Sequence, residues 1–184
     1  MKRKNRKKKK KKQALKFIED FENDIEKRDE LLKKENNILV RNLPVGEDFP
    51  MRVLSEIASA PILSKEDLIK KAEFFVASGS DMIDIGMIAG EDRSDEIPDL
   101  IDSLRPIVGD RPLSIDTLNP KEIEAAVNHG IDMVLSLDNG NYEEILPLLK
   151  EKNVPAVILP TNFSDGYVPH TPADRVASMQ KLVE

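Results

Sequence analysis

From Met51 onward the chain repeats one pattern, in which a short apolar run is followed by a turn signal and then by apolar residues at helical spacing. The runs are MRVLSEI, DMIDIG, PLSID, IDMVLSL and VPAVILP. Between them the helix signals are explicit. Ser64 is an N-cap with Asp67 at the N3 position, followed by Leu68, Ile69, Ala72, Phe75 and Val76 on one face and closed by Gly79. A second helix is expected from about Ser94, with Ile97, Leu100, Ile101 and Leu104 as its stripe. Asn119, Pro120 and Glu122 form a cap, first-turn and N3 set for a third helix that Gly130 ends. Glu143 to Lys150 reads as a fourth, and Thr171, Pro172 and Asp174 open a last one. Strand and helix alternating about five times predict an α/β fold with a parallel sheet.

Two architectures satisfy that alternation, an open doubly wound sheet and a closed eight-fold barrel. No strand leads into G-x-G-x-x-G or G-x-x-x-x-G-K-[ST], which removes support for a nucleotide-binding sheet. A complete barrel needs roughly 250 residues, and this chain has 184. About five of eight βα units are therefore expected, as a truncated product or the front part of a longer polypeptide.

Side-chain alternation along the strands isolates the chemistry. Ile83 and Ile85 face helices while Asp84 and Gly86 point inward; Leu113 and Ile115 face out while Ser114 and Asp116 point in. The same parity in the next strand puts Ile131, Met133, Leu135 and Leu137 outside and Val134, Ser136 and Asp138 inside. Three consecutive strands would then end in an inward carboxylate, on the face where such folds build their sites. Each Asp alone has a plainer explanation as an Asx turn or helix cap. That explanation is stronger for Asp138, beside Asn139, Gly140 and Asn141, than for Asp84 and Asp116, because Ser94 and Asn119 already supply caps. A carboxylate cluster suits Mg²⁺ or Mn²⁺, or a heterocycle with an amidine-like N–H edge that one carboxylate accepts in bidentate fashion. The absence of His, Lys or Arg near the strand ends favours the heterocycle.

Charge is distributed unevenly. Met1 to Lys12 holds ten of the 28 Lys and Arg and no acid, leaving 18 basic against 34 acidic groups elsewhere. Residues 1–12 are expected to be a solvated, disordered tail, because the Lys run has no interleaved aromatics and no base-reading motif; a nucleic-acid partner is not expected. Residues 13–48 are expected to be a charged helix, Gln13 to Asn36, and a linker from Asn42 to Pro50, with the α/β domain at 49–184. The helix carries Ala14, Phe17, Ile18, Phe21, Ile25 and Leu32 at helical spacing, and the break at Arg28 argues against a sustained coiled coil. No cysteine is present, so disulfides, thiolate metal sites and cysteine nucleophiles are excluded. No apolar run approaches the roughly 20 residues of a membrane span, and no signal-peptide h-region follows the basic start. A cytoplasmic location is expected.

GSDMIDIG, PLSIDT and HGIDMVLSLDNG together resemble the pterin-binding domain of dihydropteroate synthases and of methyl-pterin methyltransferases, most closely the archaeal dihydropteroate synthase-related proteins. The resemblance covers about Phe49 to Pro160 and implies a TIM-type parallel (β/α) barrel, here partial, with a pterin held at its C-terminal face. It implies that Asp84 and Asp116 bind the pterin. Where the synthases carry an Asn near the end of the fourth strand this chain has Leu135 or Ser136, so Ser136, Asp138 or Asn139 would substitute.

The departures are specific. EIASAPILS replaces the synthase first-strand loop, MIAGEDRS replaces the loop after strand two, and the pyrophosphate-handling Lys and Arg-x-His belong to strands beyond this chain. PTNFSDG follows the fifth strand and is read as a local loop. Arg93 is a candidate anion contact, with pairing to Glu91 or Asp92 as the alternative. His129 ends a helix, where it suits the dipole, and His170 lies in a Pro-rich loop at the candidate face.

The resemblance implies three functions. The first joins a hydroxymethyl-dihydropterin diphosphate to an aromatic amine in folate or tetrahydromethanopterin-type biosynthesis, with the reduced pterin as substrate and Mg²⁺ as an optional cofactor. The others are methyl transfer from a methyl-pterin to a corrinoid protein, and pterin binding without catalysis. The implied partners are the pterin and either a second copy or the remainder of a longer chain, with no membrane.

Overall fold

The computed structural model describes residues 24–183. Two compact units are distinguished among the described residues, one formed by residues 24–39 with 44–51 and the other by residues 40–43 with 52–183. In the first, helix α1 spans residues 24–31. The expected helix from Gln13 to Asn36 lies partly outside the described residues, and its described part stops five residues early. Asn37 explains the stop: its side-chain amide donates to Leu31 O (2.8 Å) and to Asp48 (2.7 Å), and its own carbonyl oxygen accepts from Asp48 N (3.3 Å). Two short strands follow, β1 (Asn37–Val40) and β2 (Leu43–Gly46), where a linker was expected from Asn42. The turn between them uses Arg41 at φ 54°, a left-handed position that sequence reading normally assigns to Gly or Asn.

The larger unit holds five strands: β3 (Leu54–Ile57), β4 (Met82–Gly86), β5 (Leu113–Asp116), β6 (Met133–Leu137) and β7 (Ala156–Ile158). All neighbours pair in parallel and their spatial order equals their chain order. That order decides between the two architectures. A doubly wound sheet reverses its winding at a switch point, whereas a barrel is wound in one direction throughout. The sheet is thus five units of a TIM-type α/β fold, without closure.

The connecting helices are α2 (Lys65–Ala77), α3 (Ile97–Val108, preceded by a 3-10 turn at Ser94–Glu96), α4 (Pro120–Asn128) and α5 (Tyr142–Lys152); α6 (Pro172–Val183) follows β7. Three caps fall where the sequence places them, whereas Ser94, expected as a cap, opens the 3-10 turn and leaves Glu96 at the N-cap of α3 without a side-chain bond. Ser64 Oγ accepts from Asp67 N (3.1 Å), Asn119 Oδ1 accepts from Lys121 N (3.0 Å) and Thr171 Oγ1 accepts from Asp174 N (3.1 Å).

Ile57, Ile83, Ile85, Leu113, Ile115 and Val134 pack with Leu68, Leu104, Ile123, Ile145 and Leu149 from the helices in one buried core. Each such side chain contributes about 1.5–3 kcal/mol by leaving water. Among the described residues no helix is long and apolar enough to cross a membrane.

Candidate functional site

The registers fix which side chains share a face. Glu56 pairs with Asp84, Asp84 with Ser114, and Gly86 with Asp116. Directly opposed residues in a sheet point the same way, so Glu56, Asp84, Ser114 and Asp116 lie on the face opposite the Ile83–Ile85–Ile115 core. One carboxylate oxygen from each of Glu56, Asp84 and Asp116 lies within 4.8 Å of the others. Asp84 and Asp116 thus share one face, as their parity predicts, and Glu56 joins them.

Glu56 was missed by the sequence reading. Its signal was available: in LSEI the side chain one residue before the strand end has the parity of Asp84 once the strands are aligned in parallel. Room for it comes from Gly86, where a Cβ would collide with the Glu56 carboxylate and come within 3.1 Å of the Ala58 Cα.

The fourth strand corrects the expected phase. Ser114 pairs with Met133, Ile115 with Val134 and Asp116 with Leu135. Met133 and Leu135 therefore line the acidic face, and Val134 joins the helix-side core. The register then shifts between Leu135 and Leu137, which takes Ser136 and Asp138 out of simple alternation. Of the residues that would replace the synthase Asn, Asp138 and Asn139 have their side chains engaged in loop contacts. Asp138, 1 % exposed, accepts from Gly140 N (2.7 Å), Phe163 N (2.8 Å) and Thr161 Oγ1 (3.0 Å), so its carboxylate clamps the loops after β6 and β7. Asn139 donates to Ser178 Oγ (2.7 Å), tying that loop to α6. Ser136 is buried, and its carbonyl accepts from Asn141 Nδ2 (3.3 Å), which also reaches Leu118 O (3.1 Å).

Arg93 resolves to the ion-pairing alternative: Nε sits 2.6 Å from Glu91 and Nη1 3.1 Å from Glu96. His129 caps the C-terminus of α4, with Nε2 2.9 Å from Asp102. His170 is exposed. PTNFSDG forms a local loop closed by the Asn162–Tyr167 bridge.

Electrostatics distinguish the three acids. Asp84 is 1 % exposed and its carboxyl is pushed up to about 7, chiefly by burial and further by the charges of Asp116 and Glu56. The hydroxyl of Ser114, 2.5 Å from Oδ1, acts in the opposite direction and does not offset the burial. Asp116 is also raised, by burial first and then by Glu56. Such a site holds more negative charge than its surroundings neutralise, and it favours a cation, a proton or a ligand edge rich in N–H donors.

The family described as pterin binding enzyme matches residues 55–184. The chain belongs to that family. An uncharacterized protein of Methanocaldococcus jannaschii is 42 % identical over 163 residues, covering 89 % of this chain and 31 % of that protein. Among solved structures, dihydropteroate synthase from Stenotrophomonas maltophilia, with imidazole in its active site, aligns at TM-score 0.59 and 21 % identity over 80 % of this chain and 61 % of that one. Dihydropteroate synthase from Xanthomonas albilineans with 4-aminobenzoic acid aligns at TM-score 0.59 and 18 % identity, over 81 % of this chain and 63 % of that one. At these identities the likeness is one of fold. The chain spans about a third of the curated relative and about three fifths of these synthases.

Proposed function

We propose that this pterin-binding chain holds a reduced pterin at the C-terminal rim of its sheet, with Asp84 and Asp116 accepting hydrogen bonds from the amidine-like edge of the ring and Glu56 as a third acceptor. The carrying observation is the meeting of three carboxylates from three successive strands within 4.8 Å, one of them buried. An ionised carboxylate accepts two parallel N–H bonds, and charge-assisted bonds of this kind are roughly twice as strong as neutral ones. Met133 and Leu135 would give the flat ring an apolar neighbour on the same face.

The reaction proposed for the site is that of a dihydropteroate synthase, in which an aromatic amine displaces pyrophosphate from a hydroxymethyl-dihydropterin diphosphate. That displacement needs positioning and charge stabilisation more than a strong base. The three acids serve the positioning. Groups for the pyrophosphate would come from further βα units, either of a longer chain or of a second copy, and the cytoplasm is the compartment this chemistry expects.

A second reading has its own support, since three oxygen donors at this separation suit Mg²⁺. In it the cation would be held by Glu56, Asp84 and Asp116 and would neutralise them.

The test is a titration with a reduced pterin, followed by pterin fluorescence, with and without Mg²⁺. Saturable binding that Mg²⁺ leaves unchanged supports the first reading. Mg²⁺ binding that excludes the pterin supports the second and overturns the first. Turnover assays then separate the reactions: pyrophosphate release with an aromatic amine marks the synthase, and corrinoid-dependent demethylation would replace it with a methyltransferase. Pterin binding with neither reaction would leave a binding module.

A further inference from the structure

Glu122 is the N3 residue of α4, three after the N-cap Asn119. In a capping box an N3 Glu reaches back to the backbone N–H of its own N-cap. Here it does not. The Asn119 N–H is taken by Thr117 Oγ1 (3.1 Å), and the Glu122 carboxylate turns outward from its helix to two other partners. Oε2 accepts from Thr117 Oγ1 at 2.5 Å, and Oε1 accepts from the backbone N–H of Arg93 at 3.0 Å. The side chain is fully enclosed, at 1 % exposure. An enclosed carboxylate with two short bonds holds its partners firmly, because releasing either strands a polar group away from water.

Both partners belong to the acidic rim. Thr117 is the residue after Asp116, and Arg93 ends the loop that leaves β4 at Gly86. The same two segments are joined at their start, where Met87 N donates to Asp116 O (3.0 Å), and again where Asn119 Nδ2 donates to Glu91 O (3.1 Å). The loop 87–93 is thereby fastened at both ends to the segment carrying Asp116, and the buried fastening is Glu122.

We infer that Glu122 is a positioning residue for the pterin site: through Thr117 and the Arg93 amide it fixes the Asp116 segment and the loop after β4 in the arrangement that the ring meets. This rests on the pterin reading above. Glu122 does not touch the ligand, so its removal acts through Asp116 and the loop.

The experiment combines amide hydrogen exchange with pterin titration on the full chain. Glu122→Ala is expected to speed exchange of the Arg93 amide at least tenfold and to weaken pterin binding at least fivefold. Glu122→Gln keeps an oxygen for the Arg93 N–H and is expected to keep that amide within threefold of the parent and to recover most of the affinity. Should Glu122→Ala fail to fold, Thr117→Val removes one of the two bonds at constant volume and is expected to weaken binding about threefold. In an Asp116→Ala background the effect of Glu122→Ala on affinity is expected to shrink, since the part carried by Asp116 is gone and only the part carried by the loop after β4 remains; a purely structural loss would persist undiminished. Parent binding that Glu122→Ala leaves intact, or a loss of equal size in the Asp116→Ala background, overturns the role. A parent chain that binds no pterin overturns the functional reading itself and the role along with it.

Discussion

Asp84 shows at the scale of one residue what the site costs the fold. Its carboxyl is raised from 3.8 to about 7, so the folded chain binds a proton there more tightly than the unfolded chain does. Between those two values the folded state holds more protons, and stability falls as pH rises through the window. Asp84→Asn carries no such charge and still offers an oxygen to Ser114. It is expected to be more stable than the parent at pH 8, by about 4 kcal/mol, and close to it near pH 4. Thermal unfolding at the two pH values checks this; parallel curves would contradict it. The same substitution is expected to weaken pterin binding, because an amide presents one acceptor where the carboxylate presents two.

Glycine can matter as much as the acids. Gly86→Ala places a methyl group against the Glu56 carboxylate and near the Ala58 backbone. The flexible Glu56 will swing away, whereas the backbone yields less. A stability loss of about 1 kcal/mol is expected, together with a severalfold loss of pterin affinity, measured by denaturant unfolding and by titration.

At the scale of strands and helices, what could be read ahead of the structure depended on whether two periods disagreed. The helices α2 and α4 were legible because Ser64, Asn119, Pro120 and Gly130 are local signals whose chemistry works without tertiary context. β4 and β5 were legible in phase because their polar residues fall on one parity only, with Asp84 level with Ser114 and Gly86 level with Asp116. β6 was not. A strand buried on both faces is apolar on both, so Ser136 and Asp138 supplied the only phase signal, and both lie at or beyond the irregularity near its end. Assigning the parity from them turned Met133 and Leu135 to the wrong side. Glu56 escaped for a different reason: its role depends on alignment with Asp84 across a strand pair, which no single run displays.

The opposite end of the strands carries stability without chemistry. Asp132, just before β6, accepts from Arg105 (2.7 Å), Arg41 (3.2 Å) and Leu113 N (2.9 Å). Asp132→Ala is expected to cost about 2 kcal/mol in denaturant unfolding while leaving pterin affinity unchanged. A loss of affinity there would show that the two ends of the sheet are coupled.

The larger unit as a whole is a sheet with division of labour between its faces: isoleucines, leucines and valines seal one side under helices, and the other carries the acids. Strand order equal to chain order makes this possible, since every βα unit then delivers its strand end to the same rim. The fold class and the shared face of Asp84 and Asp116 were visible in the sequence because both follow from strict alternation. The hairpin at Asn37–Gly46 was not, because its turn uses Arg41 in a conformation that its residue type does not announce.

The central claim is that the strand-end carboxylates hold a pterin ring, and Asp116 tests it most directly because it is exposed enough to be replaced without opening the core. Titrating the parent chain and Asp116→Ala with the same reduced pterin, by fluorescence, should give a dissociation constant at least tenfold higher for the variant, about 1.4 kcal/mol. Equal binding by the two proteins would contradict it.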